Sequence, residues 1–270
     1  MADTKRLMML ATPVVMAQKN YFRYRVTVTA GQATTPKFTF GAGAPAAMVD
    51  WGDGTPKTAV VSNVEMNHVY AGAGTFAVTL IAPNQATYLT QIDISADKLI
   101  SVLTPIQKFP KLTVFFAHIN TAWVQNISSW VLPAGLTYFY VFSTSASGNI
   151  SSWVLPATLQ YIRIEITSIS GDISGLVLPA GLINFYVLAT SVTNCPNLDS
   201  MVSIREIRAD NTALIQASVD LYLARCVANE GDTTYATPTL NLGGTNQAPS
   251  AAGLLDKATL VAAGWIVTTN

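Results

Sequence analysis

Very few side chains in this sequence are equipped to do chemistry. There are two histidines, His68 and His118, two cysteines, Cys195 and Cys226, and four glutamates, Glu65, Glu165, Glu206 and Glu230. None falls into a spacing that a reaction needs. H-E-x-x-H for a zinc-bound water, G-x-S-x-G for a nucleophile elbow, a glycine-rich phosphate loop and a paired-cysteine metal motif are all missing. A glycosidase needs two carboxyls facing each other across a cleft, and His118 with Glu165 does not supply them. Glu165 follows Arg163 at the second residue, as Asp210 follows Arg208, so on a strand each pair shares one face. They read as surface ion pairs worth under about 1 kcal/mol each. The expectation is a chain that is not an enzyme and uses no cofactor or metal.

Other polar groups have a choice of roles. Asp50 and Asp53 flank Trp51-Gly52, and carboxylates in turns suit a calcium ion. Two are few for a cage, and a turn at Asp53-Gly54 needing positive φ is the simpler reading. His68, beside a strand, reads as a packed, hydrogen-bonded residue before it reads as a ligand. Cys195 and Cys226 read as two buried thiols or one bridge, and are too few for a disulfide framework.

The elements that must hold these residues are written in the composition and the repeats. Half the residues are hydrophobic and 11% are charged, with a net charge of zero, where a soluble domain usually has about a quarter charged. So sparse a charge favours association. It also excludes a basic patch able to neutralise phosphates, so no nucleic-acid partner is expected. No stretch reaches the roughly 20 apolar residues that span a bilayer.

From Leu112 onwards the chain says nearly the same thing three times, with NISSWVLPAG, then LTYFYVFSTSASGNISSWVLPAT, then LQYIRIEITSISGDISGLVLPAG. Leading aliphatic residues fall at Leu89, Leu112, Leu136, Leu159, Leu182 and Ile204, which predicts six coils. Apolar residues recur three, five and ten positions after each marker, as at Phe139, Val141 and Ala146. A period in the twenties implies a solenoid whose coils bury their apolar sides only against one another. The pattern resembles the leucine-rich repeat, L-x-x-L-x-L-x-x-N-x-L, and SGDISG at 170–175 is similar to the plant-type ending. The family's asparagine column reads here Asp97, Asn120, Thr144, Thr167, Thr190 and Thr212. A threonine hydroxyl there is expected to bond the backbone of the adjacent coil.

Positions two, four and six after each marker should point away from the core. They gather Phe116, His118, Tyr138, Tyr140, Phe142, Tyr161, Arg163 and Tyr186 into one cluster of rings around an arginine. A patch of that kind fits a contact surface for another protein, a site stacking rings on sugars, or a face covered by the chain itself. Trp130 and Trp153 hold matching places that Leu176 takes in the next copy, which points to packing.

Upstream, RYRVTVTA and KFTF alternate as strands do. Trp51-Gly52-Asp53-Gly54 followed by His68-Val69-Tyr70 and Gly74-Thr75-Phe76-Ala77-Val78-Thr79-Leu80 resembles the PKD domain, an immunoglobulin-like sandwich, with its W-x-F-G-D-G motif shortened. The start, MADTKRLMMLATPVVMAQ, reads as an anchoring arm, as a secretory signal or as a first strand, and the arm is preferred.

Beyond Leu214, Val219, Tyr222, Leu223, Cys226 and Val227 form an apolar helical stripe beginning near Ser218. A strand at 239–242 follows, then a second helix opening at Pro249-Ser250. One of its faces should carry Ala251, Leu254, Leu255, Ala258 and Ala262; Gly264 should stop it before a last strand at Trp265-Ile266-Val267.

The expected fold is therefore mainly β with some α. It comprises an arm over 1–20, an immunoglobulin-like β-sandwich over 21–84 joined to a leucine-rich-repeat solenoid over 85–214 as one rigid rod, and an α/β cap over 215–270. The tail, LGGTNQAPSAAGLLDKATLVAAGWIVTTN, resembles endings of repeat proteins of bacteriophage virions and Bacteroidetes-type bacteria. That resemblance implies a structural protein on the virion surface, in head decoration or tail fibre, contacting other virion subunits, capsid or tail proteins, or the host surface. The alternative is an extracellular or cell-surface bacterial adhesin binding host protein or glycan.

Overall fold

The computed structural model describes residues 21–95, 99–102, 104–231 and 236–270. The expected arm and Asp97 of the asparagine column lie outside them. The chain is mainly β. Its first part carries β1 (Arg23–Val28), β2 (Ala33–Thr34), β3 (Lys37–Phe40), β4 (Met48–Asp50), β5 (Thr58–Ala59), β6 (His68–Val69) and β7 (Gly74–Ile81). After one helical turn, α1 (Gln85–Tyr88), come β8 (Leu89–Asp93), β9 (Leu99–Val102), β10 (Val114–Phe116), β11 (Tyr138–Tyr140), β12 (Ser147–Asn149) and β13 (Tyr161–Arg163). Then follow β14 (Ser168–Asp172), β15 (Asn184–Tyr186), β16 (Ser191–Thr193), β17 (Glu206–Arg208), α2 (Gln216–Ala228), β18 (Thr239–Asn241), α3 (Ala251–Ala262) and β19 (Ile266–Thr268).

The repeat period becomes a parallel ladder. Each pass of the chain lays one strand beside the last, in the order β8, β10, β11, β13, β15, β17, β18 and β19, with Phe115 opposite Phe139, Phe139 opposite Ile162 and Ile162 opposite Phe185. These inward residues are fully buried, each stabilising the fold by about 2 kcal/mol. A second parallel sheet, β12, β14 and β16, runs along another side of the same passes. Trp130 and Trp153 close the interior between them, edge-on to Phe115 and Phe139 at centroid distances of 5.7 and 5.9 Å. That is packing, as their exchange for Leu176 implies.

Two strands cross the boundary expected at residue 84. β3 pairs antiparallel with β8, placing Phe38 opposite Ile92, and β9 pairs with β1, placing Tyr24 opposite Val102. Each crossing gives an open sheet edge a partner. One buried core consequently runs from Phe22 to Trp265.

Around Trp51 the turn is tight. Gly52 sits at φ 80°, and a Cβ there would lie 2.7 Å from the Ala77 carbonyl oxygen, so glycine is required. Trp51 is fully buried, donates Nε1–H to Thr58 Oγ1 at 2.8 Å and lies flat against His68, centroids 4.5 Å apart. His68 Nε2 is 2.8 Å from Asp53 Oδ2, while Asp53 Oδ1 accepts from the Thr55 amide and hydroxyl. Burial pushes the Asp53 pKa up, but these hydrogen bonds outweigh it and hold the carboxyl below its ordinary value. Asp50 accepts from the Gly52 amide and faces Lys57 at 3.2 Å.

The coil corners correct one expectation. Thr144, Thr167, Thr190 and Thr212 donate to carbonyls of their own coil, those of Val141, Ile164, Val187 and Ala209, not to the adjacent coil. The reason is a left-handed residue immediately before each threonine: Ser143, Ile166, Ala189 and Asn211 have φ between 50° and 57°. That bend folds the hydroxyl back over the strand just completed.

α2 begins at Gln216, slightly ahead of the expected Ser218, and buries Val219, Tyr222, Leu223 and Cys226. Cys195 and Cys226 are free buried thiols; burial pushes Cys195 up to about 12. α3 turns much of its apolar stripe outward. Its buried residues are Gly253 and Leu260, whereas Leu254 and Leu255, both on the stripe that the sequence shows, are 52% and 70% exposed. Gly253 packs against Asp220 and Pro249 with no room for a Cβ, and this contact fixes which side of the helix turns in. Gly264, at φ 93°, ends the helix as expected.

Candidate functional site: an aromatic sheet face

The eight residues picked out by spacing do share one face. Phe116, His118, Tyr138, Tyr140, Phe142, Tyr161, Arg163 and Tyr186 are each half-buried, while the alternating Phe115, Phe139, Ile162 and Phe185 are fully buried. Neighbouring strands lie about 4.8 Å apart, a separation at which flat rings on adjacent strands stack. Phe116 stacks on Tyr140 at 4.7 Å with planes 18° apart, Tyr138 on Tyr161 at 4.7 Å and 5°, and His118 on Phe142 at 4.4 Å and 9°.

Arg163 continues the stacks. Its guanidinium carbon lies 4.0 Å from the Phe142 centroid, 5.1 Å from that of Tyr186 and 5.5 Å from that of Tyr140. Phe142 thus sits between His118 on the preceding strand's column and Arg163 on the next. Contacts of this kind contribute about 0.5–1.5 kcal/mol each between rings and up to about 2 kcal/mol for a partly desolvated cation. Because the rings turn their faces to one another, the outward side presents edges and the ends of tyrosines.

The ion pairs differ from expectation. Glu165 is 3% exposed and Asp210 5%; neither is a surface carboxylate, because its own arginine lies over it. Arg163 donates Nε–H to Glu165 Oε1 at 2.8 Å and also Nη2–H to the same oxygen. Arg208 holds Asp210 through Nε at 3.3 Å and Nη2 at 3.2 Å. Burial raises the Glu165 pKa and outweighs the lowering by Arg163. Burial lowers that of His118 and raises that of Tyr140.

Sequence spacing missed a polar extension of the patch. Asn184 donates Nδ2–H to the Tyr186 hydroxyl at 2.7 Å, and that hydroxyl donates to Glu206. Both residues occupy outward columns, but nothing in their types marks them as joined. Three buried polar atoms on this face lack a partner: His118 Nδ1, Glu165 Oε2 and Asn184 Oδ1. What this face offers for binding is ring edges and tyrosine hydroxyls.

No helix among the described residues is long and apolar enough to cross a membrane. Compared with protein-family models, curated proteins and solved structures, the chain matches none.

Proposed function

We propose that this chain is a non-enzymatic surface subunit that docks another protein through the aromatic face of its parallel sheet. The single observation carrying this reading is the continuous run of interlocked rings about Arg163, half-buried in the isolated chain. A half-buried face of tyrosine, phenylalanine and arginine is what interface centres are made of. The coils are read as leucine-rich repeats and the N-terminal strands as a PKD-type immunoglobulin-like unit, on the strength of the period and of the two motifs around Trp51 and His68. The resemblance of the tail and the low charge support a place on the outside of a bacteriophage particle, among other virion subunits.

The test is labelling of purified particles with antibody against this chain, together with a chain carrying Tyr140→Ser and Tyr161→Ser. The reading expects labelled particles and loss of the doubly substituted chain from them. Unlabelled particles would remove the virion assignment. Full retention of the substituted chain would remove the docking face.

A further inference from the structure

The two edges of the long sheet are treated differently. At one, β3 is covered by its own following loop, whose Asn63 and Met66 amides donate to the Phe38 and Pro36 carbonyls at 2.9 and 3.0 Å. At the other, β19 pairs with β18 alone among the described residues. Beside that open edge the chain exposes Leu254 at 52%, Leu255 at 70%, Val261 at 51% and Ile266 at 58%, with Ala258 and Ala262 between them also exposed. The apolar stripe of α3 has the periodicity of a buried face, yet nothing among the described residues buries it. An open edge next to such a surface is a site for strand addition.

We propose that this end binds the apolar run Leu7–Ala17 of a second copy of the same chain, joining copies head to tail. The run, LMMLATPVVMA, carries no charge, matching a surface whose exposed large side chains carry none. It contains Pro13, which lacks an N–H and is tolerated in a strand paired on one side only. As the outermost strand, it would also stop further growth of the sheet.

Reach decides in favour of another copy. Tyr21 is fixed near the far edge, its carbonyl accepting from Thr104 Oγ1 at 2.7 Å, and the Phe22 amide donates to Gln85 Oε1 at 2.9 Å. β8 and β19 are seven strand steps apart in the sheet order, or about 34 Å at about 4.8 Å a step. Residues 18–20 bridge at most about 14 Å between Ala17 and Tyr21. The whole run therefore cannot lie along β19 of its own chain. The inference stands independently of what the ring face binds.

The test is complementation in full-length chains, followed by sedimentation velocity. One variant, Leu10→Asp with Val14→Asp, spoils the arm; another, Leu255→Asp, spoils the end face and, being at an exposed position, keeps the wild-type melting temperature. The unaltered chain should self-associate as its concentration rises to about 100 µM, each variant alone should be monomeric, and an equimolar mixture should form one-to-one pairs through its one intact arm and one intact end. A monomeric unaltered chain, a mixture that stays monomeric, or self-association of either variant alone would each overturn the proposal.

Discussion

Arg163 lies over Phe142, its guanidinium carbon 4.0 Å from the ring centroid, while the same group holds the buried carboxylate of Glu165. One side chain thus fixes the ring stack and neutralises the glutamate buried beneath it. A planar fork does both at once; an ammonium does not.

Arg163→Lys should therefore cost about 1–2 kcal/mol in urea unfolding. Arg163→Met, which keeps bulk but leaves Glu165 unpaired, should cost about 3 kcal/mol. Equal effects of the two would mean that the fork geometry is not used.

Glu165 binds its proton more tightly folded than unfolded, because burial raises its pKa. Between the unfolded value and the raised folded one, the native state carries more protons, so the Glu165 contribution to stability falls as pH rises. Glu165→Gln removes that dependence. The stability of the variant minus that of the natural chain should increase from pH 4 to pH 8; a flat difference would place the carboxylate in a well-solvated setting, and a falling one would mean that its pairing with Arg163 outweighs burial.

For His118 the sign reverses. Burial lowers its pKa below the ordinary 6.5, so the unfolded chain takes up the proton first and stability is lost as pH falls below about 6.5. His118→Phe, which keeps the stack on Phe142, should unfold with a weaker loss between pH 7 and pH 5 than the natural chain.

Ile166 occupies a left-handed corner at φ 54° with its side chain exposed. A β-branched residue there costs about 1–2 kcal/mol, and asparagine tolerates the bend. Ile166→Asn should raise stability by about 1 kcal/mol in urea titration, and a loss of that size would show that the isoleucine makes contacts that outweigh the strain.

Much of the ladder is legible in the sequence because a parallel coil must repeat its apolar positions to stay in register. That regularity by itself puts Leu112, Leu136, Leu159 and Leu182 inside, and Tyr138 and Tyr161 outside. The stacking of those rings then follows from strand spacing. Burial of Glu165 is not legible, because it depends on where the long Arg163 side chain folds over. Exposure of the α3 stripe is not legible for a plain reason: periodicity shows which side of a helix is apolar, not whether anything covers it. The strand exchange of β3 and β9 leaves no trace either, since alternation marks a strand without naming its neighbour. The threonine column is visible by type, yet the direction of its bond is set by Ser143, Ile166 and Ala189, whose left-handed backbone their identities do not announce.

The docking reading is tested most directly by retention of the Tyr140→Ser, Tyr161→Ser chain on purified particles, measured beside its melting curve. Both positions are half-buried, so the substituted chain should still unfold cooperatively within about 10 °C of the natural one while being lost from the particles. Retention at the natural level by a folded protein would contradict the account.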